Sequence, residues 1–388
     1  MADPRELTTE QGKRLLADLA AFGAPLPHLV LTGGDPLKRA DLFELIAEAQ
    51  ALGLAVSVSP SGTPLLTADA IGRLKRAGVD AISLSLDGAT ASHHDDIRQV
   101  PGCFERTLEA ARAASHEQLM FQVNTLVAKE TLGDLEAIYP LVKSIGAARW
   151  SLFFLVTVGR GTVLSPISAD ECETLFGWLA DLPRGRGLPI VTTTEAPHYR
   201  RILLERVKAR PPGTAPAAGG HPGGGHPGGG HPHGAGAPVP GLGIRDGNGI
   251  MFVSNVGDVS PSGFLPLVAG NVKLESPVEI YRSSQMFVAL RRAEAFEGRC
   301  GICEYRGPCG GSRSRALAAT GNMLAEGARQ FAQGKRPQMH QLLLTPANAR
   351  RVADQLAQLR GAAMKVGQLL SMDAGELLPP ELAEILSR

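Results

Sequence analysis

Short apolar runs begin near His28, Ala55, Ala81, Phe121 and Arg149, and they alternate with longer stretches whose apolar positions recur every three or four residues. After Asp41, for example, Leu42, Leu45, Ile46, Ala49 and Leu52 share one helical face; Asp41 stands where an N-cap belongs and Gly53 where a helix stops. Thr67 and Gly78 bracket the next helix in the same way. Residues 189–197 (PIVTTTEAP) add a further strand candidate, followed by a basic helix around Tyr199–Lys208. Alternation at this spacing predicts βαβ units and a parallel sheet, hence the α/β class. Polar residues at the ends of the strands favour closure toward a barrel, with chemistry at the C-terminal edge, where Gly33, Ser61, Ser85 and Asn124 fall. Residues 4–22 already read as a helix, so the expectation over residues 1–210 is a partial (β/α)6 barrel without its first strand.

Beyond the barrel the pattern changes twice. Residues 211–240 are Gly, Pro, Ala and His in an HPGGG repeat, with no side chains to form a core, and are expected to be a disordered linker. Its histidines, His221, His226, His231 and His233, are mostly followed by proline, which has no N–H to join a metal site, so only imidazole contacts remain. Residues 241–325 predict a small α+β unit: a hairpin turning at 255–258, then Gly270-Asn271-Val272, then a short helix over 277–292. From Thr345, with Pro346 in the first helical position, residues 326–388 predict C-terminal helices.

Composition narrows the function. A net charge of +1 with 20% charged residues gives no electrostatic footprint for nucleic acid. No apolar stretch is long enough to span a membrane, and the N-terminus has no apolar signal core. Of the five cysteines, three cluster late in the chain, a pattern suited to metal rather than disulfides; a reducing cytoplasmic setting is expected.

The candidate chemistry begins where the first strand runs into Gly33-Gly34-Asp35-Pro36. Adjacent glycines let a ligand's polar end approach the backbone, and Pro36 fixes the turn. With SLDG at 85–88, then His94, Asp95 and Arg98, then Asn124, this order resembles the radical S-adenosylmethionine (radical SAM) enzymes, whose second barrel strand ends in Gly-Gly-Glu-Pro; here Asp35 replaces the Glu. The resemblance implies a SAM site formed by Gly33, Gly34, Asp35, Pro36, Ser59, Ser61, Ser85, Asp87, Arg98 and Asn124. A tight βα turn and satisfied strand ends are the plain alternative.

Cys300, Cys303 and Cys309 stand as CGICEYRGPC, and a CxxC turn with a third thiol nearby supplies three corners of a tetrahedron. With the hairpin and GNV before it, this segment resembles the SPASM or twitch auxiliary-cluster domain. The resemblance implies an auxiliary iron–sulfur cluster, but with an incomplete ligand set: Ser262 stands where a cysteine often does, and TGNMLAEGARQ brings none. The tail resembles the N-terminal extension of UbiB-type atypical kinases through Lys365, Gly367 and Gln368, and its helices imply a protein partner.

The family implies SAM-dependent radical modification of a small-molecule or peptide substrate, a peptide or a tetrapyrrole. It also implies a CxxxCxxC cluster motif, yet no cysteine precedes Cys103. The expectation is therefore a chain that does not cleave SAM by itself, the alternative being a non-catalytic binding or scaffold protein.

Overall fold

The computed structural model describes residues 4–209, 244–296 and 298–319. The 211–240 repeat and the 326–388 segment with Lys365, Gly367 and Gln368 lie outside the described residues.

The first unit opens with α1 (Thr9–Ala20) and then alternates: β1 (Leu29–Leu31), α2 (Leu42–Ala51), β2 (Val56–Val58), α3 (Ala68–Arg76), β3 (Ala81–Ser85), α4 (Ala91–Arg98), α5 (Cys103–His116) and β4 (Met120–Val127). It continues with α6 (Lys129–Leu132), α7 (Leu135–Ser144), β5 (Arg149–Phe154), α8 (Ala169–Asp181), β6 (Ile190–Thr194) and α9 (Tyr199–Lys208). The six strands pair in parallel in chain order, β1 to β6, and β1 does not pair with β6. A sheet wound in one direction carries its helices on one face and curves, so this is an open, partial barrel. Residues 189–197 do supply the last strand.

Side-chain alternation shows which face is which. On β5, Trp150, Leu152 and Phe154 are buried in the core against α7 and α8, with Trp150 and Tyr139 rings 5.7 Å apart and Phe154 and Phe176 5.4 Å apart. Ser151, on the opposite face, meets Thr194 of β6, hydroxyl to hydroxyl, at 3.4 Å. The inner face is thus polar. Buried hydroxyls near the mouth are satisfied in series: Trp150 Nε1 donates to Thr125 Oγ1 at 2.8 Å, and the Thr125 hydroxyl donates to the Leu86 carbonyl at 2.7 Å.

Local signals behaved unevenly. The Thr67 hydroxyl caps α3, accepting from the Ala70 N–H at 3.1 Å, and Gly78 takes a φ of 84° just past its end. Asp41 precedes α2 but makes no side-chain cap, because Arg39 and the Thr9 hydroxyl, at 2.7 Å, hold its carboxylate.

The second unit contains a three-stranded antiparallel sheet, β7 (Phe252–Val253), β8 (Asp258–Ser260) and β9 (Gly270–Asn271), backed by α10 (Pro277–Ser283) and α11 (Gln285–Arg291). The expected single helix over 277–292 is broken at Ser284, whose ψ of 130° leaves the helical region. Val259, Ile280 and Phe287 form its core. After α12 (Gly298–Gly301) and the cysteine turn, residues 313–319 are helical.

This unit touches both ends of the open sheet. Near β1, Leu7 N–H donates to Asn255 O at 2.8 Å and Arg282 donates to the Phe22 carbonyl at 2.9 Å. Beyond β6, Arg200 of α9 donates to the Pro308 carbonyl at 2.9 Å, and Lys208 pairs with Glu304 at 3.1 Å. No described helix is long and apolar enough to cross a membrane.

Candidate functional site

The C-terminal edge of the sheet carries the cradle. β1 ends at Leu31, and Gly33 takes a φ of 141° in the turn that follows. A Cβ built on Gly33 or Gly34 meets nothing within 4 Å, so the backbone there is open to a ligand. Asp35 begins the 3₁₀ turn Pro36–Lys38: its Oδ1 accepts from the Leu37 N–H at 3.2 Å and from the Ser61 N–H at 3.4 Å. Its Oδ2 accepts from the Thr63 hydroxyl at 2.6 Å. Ser61 in turn donates its hydroxyl to the Gly34 carbonyl. The shorter Asp, in place of Glu, is therefore held inside the loop and ties the β1 turn to the β2 turn. Thr63 was not singled out by sequence; its place in SPSGT was the available signal.

Further along the edge, Ser85 is in register with Asn124. The Asn124 oxygen accepts from Gln122 Nε2 at 3.0 Å, which leaves the amide NH2 without a partner among the described contacts. The Ser59 and Ser85 hydroxyls are half-buried and likewise have no partner among the described contacts. These three groups suit the hydroxyls and carboxylate of a polar ligand.

Asp87 and Arg98 pair with each other. Asp87 is 1% exposed, accepts from the Leu126 N–H at 2.7 Å and is paired with the Arg98 guanidinium. The Asp87 N–H also donates to His94 Nδ1 at 3.0 Å. Asp87 is a strut joining β3, α4 and β4. Burial holds the fully enclosed His94 ring below its usual range, so it is neutral. Gly88 allows this packing, since a Cβ there would lie 2.5 Å from the His94 nitrogen.

SAM fits the residues present: open glycines, free hydroxyls and a free amide sit on one edge. The cysteines, as placed, are not gathered around an iron–sulfur group. Cys103 and Cys172 are buried on separate helices, and burial pushes the Cys172 thiol up to about 12. Cys300 and Cys309 are buried and Cys303 is half-buried, on successive turns in which the Cys309 N–H donates to Tyr305 O at 2.8 Å. Among the described residues no group of three or more His, Cys, Asp or Glu side chains is arranged to hold a metal ion. Arg245 faces both Cys300 and Cys309, its chain against Gly310 and its guanidinium donating to Gly307 O at 3.2 Å.

One strand residue escaped the sequence reading. Arg149 is the only charged residue within the six strands, half-buried on the same face as Ser151, and burial lowers its affinity for a proton.

An open parallel α/β sheet with a glycine cradle at its C-terminal edge and a clamping second unit defines a class of small-molecule-binding barrels. The Radical SAM superfamily model matches residues 1–142. The AdoMet-dependent heme synthase of Methanosarcina barkeri is 37% identical over 321 residues, covering 83% of this chain and 86% of that protein. The Pre-heme d1 synthase of Dinoroseobacter shibae is 29% identical, covering 83% and 78%. Among solved structures, Streptococcus suis SuiB bound to S-adenosylmethionine aligns with TM-score 0.56 at 12% identity, covering 82% of this chain and 68% of that one. The anSMEcpe structure with bound AdoMet aligns with TM-score 0.53 at 14% identity, covering 84% and 90%. The chain belongs to the radical SAM superfamily, whose cofactors are S-adenosylmethionine and iron–sulfur clusters.

Proposed function

We propose that this chain holds SAM on Gly33, Gly34, Ser59, Ser61, Ser85 and Asn124 and binds a heme-type tetrapyrrole as its substrate class. The observation that carries the SAM assignment is the cradle itself, two open glycines cross-tied through Asp35 to Ser61 and Thr63. The tetrapyrrole reading is supported by relatives named for heme synthesis at 36–37% identity over 83% of the chain. A peptide substrate is the second reading, supported by a PqqA peptide cyclase at 31% identity over 54% of the chain, a weaker and shorter match.

SAM held there would supply radical chemistry at a substrate C–H bond only with a one-electron donor. The chain's own part is binding and orientation. The Asn124 amide and the Ser59 and Ser85 hydroxyls offer donors to the ligand, and the Asp35 carboxylate keeps the loop in shape without touching it. The clustered thiols remain the candidate for an auxiliary metal or cluster on spacing alone, and no step is derived through them.

Residues 1–388 contain no CxxxCxxC, and in this reading they bind SAM without cleaving it. The test is anaerobic reconstitution with iron and sulfide, then SAM and reductant. SAM binding by calorimetry, lost in Gly34→Trp, with no 5′-deoxyadenosine above that variant, is the expected result. Production of 5′-deoxyadenosine by the wild-type chain overturns the inactive reading, and absence of SAM binding overturns the cradle.

A further inference from the structure

Away from the cradle, a dense cluster of buried polar groups joins β6 to the second unit. Glu195 follows β6 directly with a φ of 61°, the left-handed region that a non-glycine residue adopts only at a cost. Its Oε2 accepts from the Ser312 hydroxyl at 2.5 Å. Across the junction it meets Asp246, 5% exposed, whose Oδ2 accepts from both the N–H and the hydroxyl of Ser314 at 3.0 Å. Asp246 is buried and Glu195 half-buried, and two carboxyl groups in contact there resist being ionised together. Burial, and then the Asp246 charge, push the Glu195 carboxyl up to about 8, so at neutral pH Glu195 carries the proton between them.

The remaining groups around the pair are settled. Arg315, on the helical turn 313–319, is buried and faces both Glu195 and the Cys172 thiol of α8. That thiol stays neutral, and the His198 ring before α9 lies 3.3 Å from its sulfur. Arg245 precedes Asp246 but turns toward Gly307, Leu290 and the cysteines.

We propose that Glu195 and Asp246 are positioning residues that share one proton across the junction, latching the segment after Cys309 onto the barrel and loosening it when the proton leaves. The segment is the right one: Ser312, Ser314 and Arg315 all lie in the few residues that follow Cys309. Because the Glu195 carboxyl sits above its ordinary 4.5 in the folded chain, the latch is complete below that value and is lost as pH rises through about 8.

Hydrogen exchange of the full chain, followed in peptides from 306–319 between about pH 6.5 and 9.5 and corrected for intrinsic exchange, tests this. In the wild type, protection should fall about tenfold for each pH unit up to about 8 and level off above it. Glu195→Gln offers an amide N–H to Asp246 and an oxygen to Ser312, so its protection should stay level. Asp246→Asn removes the like charge but not the burial, so its fall should level off at a lower pH than the wild type's. A wild-type profile without the fall, or a variant profile that falls as the wild type does, overturns the proposal.

Discussion

The Ser61 hydroxyl donates to the Gly34 carbonyl oxygen, so the turn after β2 holds the turn after β1 at the point where a ligand's polar end would arrive. The same two turns are joined a second time through Asp35 and Thr63. The cradle is therefore preorganised by contacts between residues far apart in sequence, and each can be removed separately.

Ser61→Ala should leave the fold intact and weaken SAM binding by about 1 kcal/mol, roughly fivefold, as the loss of one neutral hydrogen bond. Asp35→Ala removes an acceptor used by Leu37, Ser61 and Thr63 and should cost about 2–3 kcal/mol of stability as well. Calorimetric titration and urea unfolding separate the two effects. Equal SAM affinity in both variants and the wild type would show that the cradle lies elsewhere.

Gly88→Ala should destabilise the first unit by about 1–3 kcal/mol, because its Cβ would meet the backbone of His94 at 2.5 Å rather than a yielding side chain. Gly133→Ala is the control, since a Cβ there meets nothing within 4 Å. Urea midpoints should fall for the first and hold for the second.

Thiol labelling should follow burial and proton affinity. Cys303 is half-buried and should react first, while Cys172, 1% exposed and pushed up to about 12, should stay unlabelled at pH 8 in the native chain. A folded-state value above the ordinary 9.0 means that the protonated thiol's contribution to stability is intact below 9.0 and is lost as pH rises through about 12. Mass spectrometry of timed labelling reports the order. Early modification of Cys172 would contradict its enclosure.

If Cys300, Cys303 and Cys309 gather a metal, binding must move their side chains beside Arg245, whose charge faces Cys300 and Cys309. Purified chain should then retain about one zinc or iron-containing group, and Cys309→Ser should lose most of it. Metal content unchanged by that substitution would remove the trio as a ligand set.

The strands, the helix over Tyr199–Lys208 and the glycine turn could be read directly from the chain, because each depends on local spacing, a cap or a turn residue. Local reading failed where a side chain had a better distant partner. Asp41 serves Thr9 and Arg39 instead of capping α2, and the pairing of Asp87 with Arg98 and the Leu126 N–H was equally invisible in local spacing. Family order in sequence was enough to bring Gly34 and Ser61, and Ser85 and Asn124, to one edge, since parallel strands in chain order put all their turns on the same side. Only the tertiary structure could reveal Glu195 against Asp246. Nothing within a few residues of either marks the pair, and the carboxyl's proton affinity is a property of the surroundings that the second unit brings when it closes on β6.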